Sequence, residues 1–595
     1  MPVADVDCET VAPKSCDLPL IAAVWLSLLV YGAIAAPIPA VNEPHYLTKA
    51  RHFVQPDWCA NDFFLASPNA HTVFYVATSW LTCWLSLEQT AWVGRVAAML
   101  VLATGWVSLI SALLPHRAAP LCVCWMFLAL QACGNLSGEW LVGGIEGKVI
   151  SYGLLFASLG QVLRHRNIRS GALAGIAIAF HPVVGAWGVL AFAGARLLNR
   201  GVWKWNSECG IEEQSAARLP FDAVGWVESS RPTGSRWYSW WASKTRPTLI
   251  APQFHTTTVP RSRCGLLFQR VLSLLLLALL ALPGLIPVVQ LLLEAAPAAT
   301  KRAATFIQVY YRLAHHLDPM LFPLRAYASY AVLLLLWVIG SRRVDRSEAR
   351  RLFDRVVGWS VVFALAGLLV GAGPRPAAKM PWFMERAALL KFYPFRLADV
   401  LVPLAVSVVV VGGLGWRARV KASMNDAGPE GLLASLGKWA KLGLTPTVGV
   451  CALLFVFALG RAHSVVETNR YSGELRADWI DVCRWINVQL PTDAVVQAPH
   501  NGWAFKWFAG RAEYVAFKDC PQDAAGIVEW NRRLLFLKKW YEDQYVDQFY
   551  SANELRDLRR KTGITHLLTD RLGPLELEPI YRNVTFQVYD LSSLD

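Results

Sequence analysis

The strongest constraint on this chain is a succession of apolar runs, from Leu18 to Gly460, most of them close to the length a helix needs to cross a bilayer. A hydrocarbon core about 30 Å thick takes about 20 helical residues. The composition agrees: 595 residues, 55% hydrophobic and 17% charged, with a mean hydropathy of +0.35, make too apolar a mixture for a soluble multidomain protein. The 26 Trp and 26 Phe suit bilayer interfaces as well as cores. The fold class expected is mostly α, a polytopic helical membrane protein, and disordered, collagen-like and coiled-coil classes are excluded. The net charge of +14 follows from Lys and Arg retained on cytoplasmic loops, so no nucleic-acid partner is implied.

Flanking charge orients the runs. Leu18 to Ala40 opens the series, with Lys14 on a cytoplasmic N-terminus. Val41 to Ala91 reads as an extracytoplasmic loop, in which Val73 to Leu87 is short for a span and lies in the interface or dips into the membrane. Trp92 to Leu114, Leu121 to Gly134 and Val149 to Leu163 follow. Ala172 to Leu198 is broken at His181-Pro182, where proline removes a helix hydrogen bond, and becomes two short spans. Leu266 to Leu293, Ala326 to Gly340, Val356 to Gly373, Leu397 to Gly415 and Thr445 to Gly460 bring the expected total to about eleven. Basic clusters such as Arg164, Arg166 and Arg169, or Arg342, Arg343 and Arg346, then all fall on one side. The polar, basic stretch Asn199 to Cys264 becomes a cytoplasmic insert within a transmembrane domain of residues 1–461. The expected location is the inner (cytoplasmic) membrane, crossed many times.

Beyond Ala462 the pattern changes. Ile480 to Val488, Asn531 to Tyr541 and Ser551 to Lys561 read as helices, while Ala494 to Ala498, Ala512 to Phe517, His566 to Thr569 and Thr585 to Tyr589 read as strands. Residues 462–595 are therefore expected to form a small extracytoplasmic α/β domain of about 130 residues. The 12 cysteines form no zinc pattern. Cys122, Cys124, Cys133 and Cys451 lie in apolar runs and behave as buried thiols. Cys483 and Cys520 fall in the C-terminal domain, where a disulfide between them is open.

Polar clusters at the expected outer boundary carry the functional argument. The first is Asn42-Glu43-Pro44-His45-Tyr46-Leu47, continuing through Asp57-Trp58 and Asn61-Asp62 to His71. A carboxylate there is placed for acid/base work; the bland alternatives make Glu43 a solvated helix cap and Asp57 and Asp62 turn residues. The second holds Glu139, Glu146 and Lys148. Ionisable groups next to hydrocarbon point to function, although Lys148 is also free to snorkel. The third runs from Tyr310 to Pro319 and contains Arg312, His315, His316 and Asp318; adjacent histidines suggest metal but lack companion ligands at diagnostic spacing. The fourth contains Glu385, Arg386, Lys391, Tyr393, Arg396 and Asp399, and its cations suit an anion at the membrane surface. Together they describe an outward-facing cavity in which cations steady a leaving phosphate while a carboxylate takes the acceptor's proton.

This layout resembles the GT-C superfamily of polytopic glycosyltransferases, which use polyprenyl-phosphate-linked sugars. The likeness rests on the acidic first loop opened by Asn42-Glu43-Pro44-His45-Tyr46-Leu47, similar to that family's Asp-Glu-x-x-Tyr style of motif. An interfacial helix before the second span, the short-helix pair around Gly175 to Gly188 and an outer α/β domain complete it. The chain is also similar to bacterial membrane proteins of unassigned function with this layout. The resemblance implies inverting sugar transfer from a polyprenyl-phosphate donor on the extracytoplasmic face, with Glu43 as base supported by Asp57 or Asp62. His45, Tyr46, Glu146, Lys148, Arg312, His315, His316, Arg386, Lys391 and Arg396 are the expected substrate-binding residues, chosen on position and charge. Asn42 stands where the family often has a second acid. No cofactor is required by this reading; a divalent ion stays open, as do the oligomeric state, the sugar and the acceptor. A lipid or polar-solute transporter or flippase, and a non-catalytic assembly protein, are the alternatives.

Overall fold

The structure is a computed structural model that describes residues 18–595 except 41, 209–262, 344–346, 426–444, 468–470, 472, 501, 503, 545–548, 571, 573 and 595. The chain opens with α1 (Leu18–Ala35), α2 (Glu43–Val54), α3 (Thr72–Thr78) and α4 (Leu87–Leu113). It continues through α5 (Ala119–Cys133), α6 (Gly147–Leu163), α7 (Asn167–Phe180), α8 (Pro182–Glu208), α9 (Arg263–Leu292) and α10 (Ala298–Ile307). Then come α11 (Ala314–Leu317), α12 (Leu324–Arg343), α13 (Glu348–Gly371), α14 (Phe383–Leu390), α15 (Arg396–Asn425) and α16 (Thr445–Glu467).

Among the described residues six segments are long and apolar enough to cross a membrane: Leu18–Ala35, Leu87–Leu113, Leu267–Leu292, Leu324–Arg342, Glu348–Gly371 and Arg396–Leu414. Five further apolar helices are shorter, Ala119–Cys133, Gly147–Leu163, Asn167–Phe180, Pro182–Leu197 and Thr447–His463. Each expected run has its helix. The break at His181 is local: α7 stops at Phe180, His181 is extended (φ −149°, ψ 92°) as the residue before a proline must be, and Pro182 starts α8. Val73 to Leu87 divides into the seven residues of α3 and a five-residue 3₁₀ turn at Ser79–Cys83, too short to cross, with Trp80 and Trp84 exposed as suits an interface.

Two expectations are corrected. The stretch read as the first outer loop opens with a helix not assigned there from the sequence, because Pro44 at the first turn launches α2, a position where its missing N–H costs nothing. The second crossing helix starts at Leu87 rather than Trp92, set by a capping box in which Ser86 and Gln89 bond reciprocally. Within the bundle α4 and α6 run in close contact. A Cβ on Gly105 would sit 1.9 Å from the Gly153 carbonyl, so the crossing depends on a small residue there. Trp106, Phe127, Tyr152, Phe156 and Phe353 fill the core around it.

The part of the chain expected to form the C-terminal domain contains α17 (Gly473–Gln489), β1 (Val495–Gln497), α18 (Phe505–Ala509), β2 (Ala512–Glu513), α19 (Ala524–Gln544), α20 (Ala552–Thr562), β3 (His566–Thr569), β4 (Tyr581–Arg582) and β5 (Gln587–Asp590). Its sheet has the order β2-β1-β3-β5-β4. The β1 strand is parallel to β2 and β3, whereas β5 is antiparallel to β3 and β4. Trp479, Ile486, Val496, Phe505, Phe586 and Val588 bury its first face. Strand β2 is shorter than expected, and β4 and α18 lie where no element was read. The open Cys483–Cys520 disulfide does not form: both thiols are free, Cys483 packed in that core and Cys520 turned to the cavity described below. Cys122, Cys124 and Cys451 are buried as expected, but Cys133, at the end of α5, is exposed.

Among the described residues, those within 1–196 and 269–595 form one compact unit and those within 197–268 belong to a second. The expected insert Asn199 to Cys264 falls in the latter, and its residues 209–262 lie outside the described residues.

Candidate functional site

The site is built around the N-termini of α6 and α15. Asp399, in the first turn of α15, is fully buried and accepts from the backbone N–H groups of Leu136 and Ser137 (both 2.9 Å) and from Ser137 Oγ (2.7 Å). A carboxylate so satisfied acts as a staple, fixing the 136–139 loop. The loop presents Glu139, which lies 3.0 Å from Arg396 Nε and 3.6 Å from Lys148 Nζ. Lys148 is also 3.3 Å from Glu146, and Asn42 Nδ2 donates to Glu146 at 2.9 Å. Arg396 stacks 4.0 Å over Tyr393, a residue held at φ +57°. That left-handed backbone costs a non-glycine residue about 1–3 kcal/mol, and such strain gathers at functional sites.

A second set of cations faces the first. After α10 the helix widens into a π-turn at Gln308–Arg312, where Leu313 N donates to Gln308 O at 2.9 Å. The turn directs Arg312 across to the C-terminal domain, where it donates to the Lys518 carbonyl at 2.8 Å and lies 5.2 Å over Phe517. His316 Nδ1 donates to Ser137 O at 2.6 Å. Burial first, then His315, push its pKa down to about 3, so His316 is neutral. Lys301 and Lys391 add two more ammonium groups.

These residues enclose a cavity of about 400 Å³. Six cations line it, Lys148, Lys301, Arg312, Lys391, Arg396 and Lys518, against two carboxylates, Glu139 and Glu146. Lys148 engages both carboxylates and Arg396 engages Glu139, so the other four cations, Lys301, Arg312, Lys391 and Lys518, have no carboxylate partner among the described residues. Lys518 is accessible from the cavity yet ringed by protein. Burial first, then Arg312, push its pKa down to about 8. On one side the wall is apolar, formed by Val288, Leu291 and Leu292 at the end of α9. That helix is largely uncovered by protein, with only 11% of its apolar window buried.

The C-terminal domain contributes more than Lys518. His45 Nδ1 lies 3.0 Å from Asp519 Oδ1, whose other oxygen is 2.5 Å from Lys506. Lys506 is in turn bound by Asp62 (3.4 Å) and Glu513 (3.1 Å). Asp519 is buried, which opposes ionisation, but Lys506 and His45 hold its carboxyl well below the usual range. Burial lowers the His45 pKa and Asp519 works against that shift.

Nine of the thirteen expected site residues line the cavity: His45, Tyr46, Glu146, Lys148, Arg312, His315, His316, Lys391 and Arg396. The other four do not. Glu43 is fully buried and takes a bidentate bond from Arg95 (2.6 and 2.7 Å) plus backbone N–H bonds from Ala40 (2.7 Å) and Ile145 (2.9 Å). Gly144 packs against it so closely that a Cβ there would lie 2.9 Å from the carboxyl carbon. With its oxygens so occupied Glu43 is a structural anchor, neither a solvated cap nor a base at the cavity. Asp57 is exposed in the turn after α2. Asp62 is buried, accepting from Leu65 and Glu513 N–H groups. Arg386 donates to the Val370 and Ala372 carbonyls, closing the C-terminus of α13. In the His315-His316-x-Asp318 segment the aspartate turns away to Arg375, and no cluster of three or more metal-ligating side chains occurs among the described residues. His71 closed the first polar cluster read in the sequence and also lines the cavity, whereas His181, Lys301, Gln308 and Lys518 are lining residues not expected to belong to the site; of these four only His181 carried a signal, in its break between helices.

The family model that matches is a domain of unknown function (DUF6798), over residues 477–536, a stretch that includes Lys506, Glu513, Lys518 and Asp519. No curated protein matches the chain. Among solved structures, the chain is similar to ArnT from Cupriavidus metallidurans bound to undecaprenyl phosphate, at 12% identity and a TM-score of 0.46, over 98% of this chain and 99% of that one. It is also similar to the archaeal oligosaccharyltransferase AglB from Archaeoglobus fulgidus in complex with an inhibitory peptide and a dolichol-phosphate, at 11% identity and a TM-score of 0.38, over 92% and 69% of the two chains. At those scores the likeness concerns overall arrangement, and no residue role is transferred from either protein to this multi-pass membrane chain.

Proposed function

We propose that this protein is a membrane glycosyltransferase that takes a sugar from a polyprenyl-phosphate donor. The observation that carries the reading is the meeting, in one cavity, of cations without carboxylate partners and the lipid-facing apolar end of α9. A ligand complementary to that junction is amphipathic, with an anionic head and a hydrocarbon tail. Arg312 and Arg396 offer planar forks to phosphate oxygens, while Lys301, Lys391 and Lys518 supply point charges. Stabilising the phosphate as it leaves is the electrostatic task of such a transfer. A single displacement then inverts the anomeric carbon.

The lining residues belong to one end of the bundle. Helix α6 begins at the cavity and ends 17 residues later beside Arg164, roughly 25 Å away, and the Arg166 and Arg169 cluster follows at that far end. Basic residues at that end support a cytoplasmic orientation for it and an extracytoplasmic one for the cavity. A polar site confined to one end suits transfer at a surface better than a transport path.

The test uses the whole chain in lipid nanodiscs. Labelled undecaprenyl phosphate should bind saturably and should not be displaced by undecaprenol, which has the tail without the phosphate. A panel of polyprenyl-phosphate hexoses and pentoses should then include a donor whose sugar is released. Equal competition by the alcohol, or no turnover of any donor, refutes the reading.

A further inference from the structure

We propose that His45 is the general base of the transfer and that Asp519, supplied by the C-terminal domain, is its positioning residue; this rests on the glycosyl-transfer reading above. Five histidines line the cavity, His45, His71, His181, His315 and His316, and a base must both reach the acceptor and tolerate the positive charge it acquires. Lys49 and Lys518 face His45 as cations face the others, but among the described residues it alone of the five has a carboxylate within hydrogen-bonding distance to offset them, Asp519 at 3.0 Å. His316 is fixed by a neutral carbonyl and faces His315, Arg396 and Lys148, all of which oppose its protonation. His71 and His181 face Arg396, and His315 faces Arg312 and Lys518.

The tautomer follows from the partners. Asp519 is ionised, because one oxygen is clamped by Lys506, itself buried between Asp62 and Glu513. An ionised carboxylate only accepts, so Nδ1 of His45 carries the proton and Nε2 presents a lone pair. Nε2 has no hydrogen-bond partner among the described residues, and the imidazole lines the cavity. The ring is held between the Tyr46 and Phe64 rings, at centroid distances of 5.4 and 4.4 Å. This is the orienting logic of a histidine and carboxylate pair, assembled from residues 474 positions apart.

The step balances as follows. Nε2 takes the proton of the acceptor O–H, and the acceptor oxygen forms its bond to the anomeric carbon. The bond from that carbon to the phosphate oxygen breaks, and its electron pair leaves with the polyprenyl phosphate. The imidazolium is stabilised by Asp519 until the proton passes to water. Asp62, Glu513 and Lys506 hold Asp519 in place without touching substrate.

The experiment measures release of polyprenyl phosphate from the donor that the wild-type chain turns over, with water or the best acceptor. His45→Gln keeps a donor to Asp519 but no base, and His45→Ala opens space for a small base. Both should fall roughly 10²- to 10⁴-fold while binding undecaprenyl phosphate within about twofold of wild type. Added imidazole should restore His45→Ala but not His45→Gln, a response that a packing role does not produce. Asp519→Asn should lose roughly 10²-fold or more. Wild-type rates in both His45 variants, or loss without imidazole rescue in a protein that still binds the lipid, overturn the base assignment and leave the transferase reading intact. A wild-type chain that binds the lipid and turns over no donor overturns the transferase reading itself.

Discussion

Replacing Glu43 tests whether the acidic residue at the start of α2 works in chemistry or in architecture. Glu43→Gln leaves an amide that still accepts one bond but removes the charge opposite Arg95, whose side chain is only 3% exposed. Breaking one side of a buried pair costs about 3–5 kcal/mol, because the remaining ion has no counter-charge. A backbone N–H at Ala40 or Ile145 left without its acceptor adds about 1–3 kcal/mol. The pair therefore dominates, and the structure predicts a large loss of stability. Glu43→Gln combined with Arg95→Met removes the stranded ion and should recover much of that loss, a coupling of roughly 1–3 kcal/mol in a double-mutant cycle. The assay is the thermal midpoint in detergent, read by tryptophan fluorescence, with size-exclusion behaviour as a control. If Glu43→Gln keeps the wild-type midpoint and abolishes transfer, the anchor argument is wrong and the carboxylate belongs to the reaction.

Four further outcomes follow from the site. Arg396→Lys loses the fork that faces Glu139 and the cavity, and undecaprenyl phosphate binding should weaken about 10- to 100-fold, as expected for hydrogen bonds to a charged group worth about 1.5–3 kcal/mol. Lys518, whose pKa is held near 8 by burial and by Arg312, loses its charge as pH rises through that value. Binding of undecaprenyl phosphate should therefore decline above pH 8; Lys518→Arg should remove the decline and Lys518→Met should bind weakly at every pH. Asp399→Asn weakens the staple on the 136–139 loop, so turnover and stability should fall together, the latter by about 1–3 kcal/mol, seen as a lowered thermal midpoint. Lys506→Met strands Asp62, Glu513 and Asp519 around an apolar side chain; it should destabilise the C-terminal domain by about 3–5 kcal/mol, visible as faster proteolysis.

The membrane helices were legible because each is a local fact: a run such as Val149 to Leu163 declares itself within its own residues. Lys148, Arg312 and Arg396 were legible for a related reason, since charge placed beside an apolar run is costly unless used. The role of Glu43 was not, because the direction of a side chain in the first turn of a helix depends on what packs there. One signal did exist. Arg95 lies inside the 27-residue apolar helix α4, and a guanidinium at that depth requires a buried acid; Glu43 satisfies it. Lys518 and Asp519 carried no comparable mark. They sit in a polar loop of a polar domain, and only the docking of that loop against α2 and the π-turn, 200 and more residues away in sequence, gives them meaning. The α2 helix itself was hidden by its polarity, since three of its five buried residues, Glu43, Thr48 and Lys49, are polar or charged.

The segment between β2 and α19 forms part of the cavity wall while belonging to the sheet-containing portion of the polypeptide. A reading frame interrupted before codon 518 would still specify every apolar helix, and the truncated product would still have what it needs to insert. It would lack the Lys518 ammonium group, the Asp519 carboxylate beside His45 and the polar wall that this segment gives the cavity.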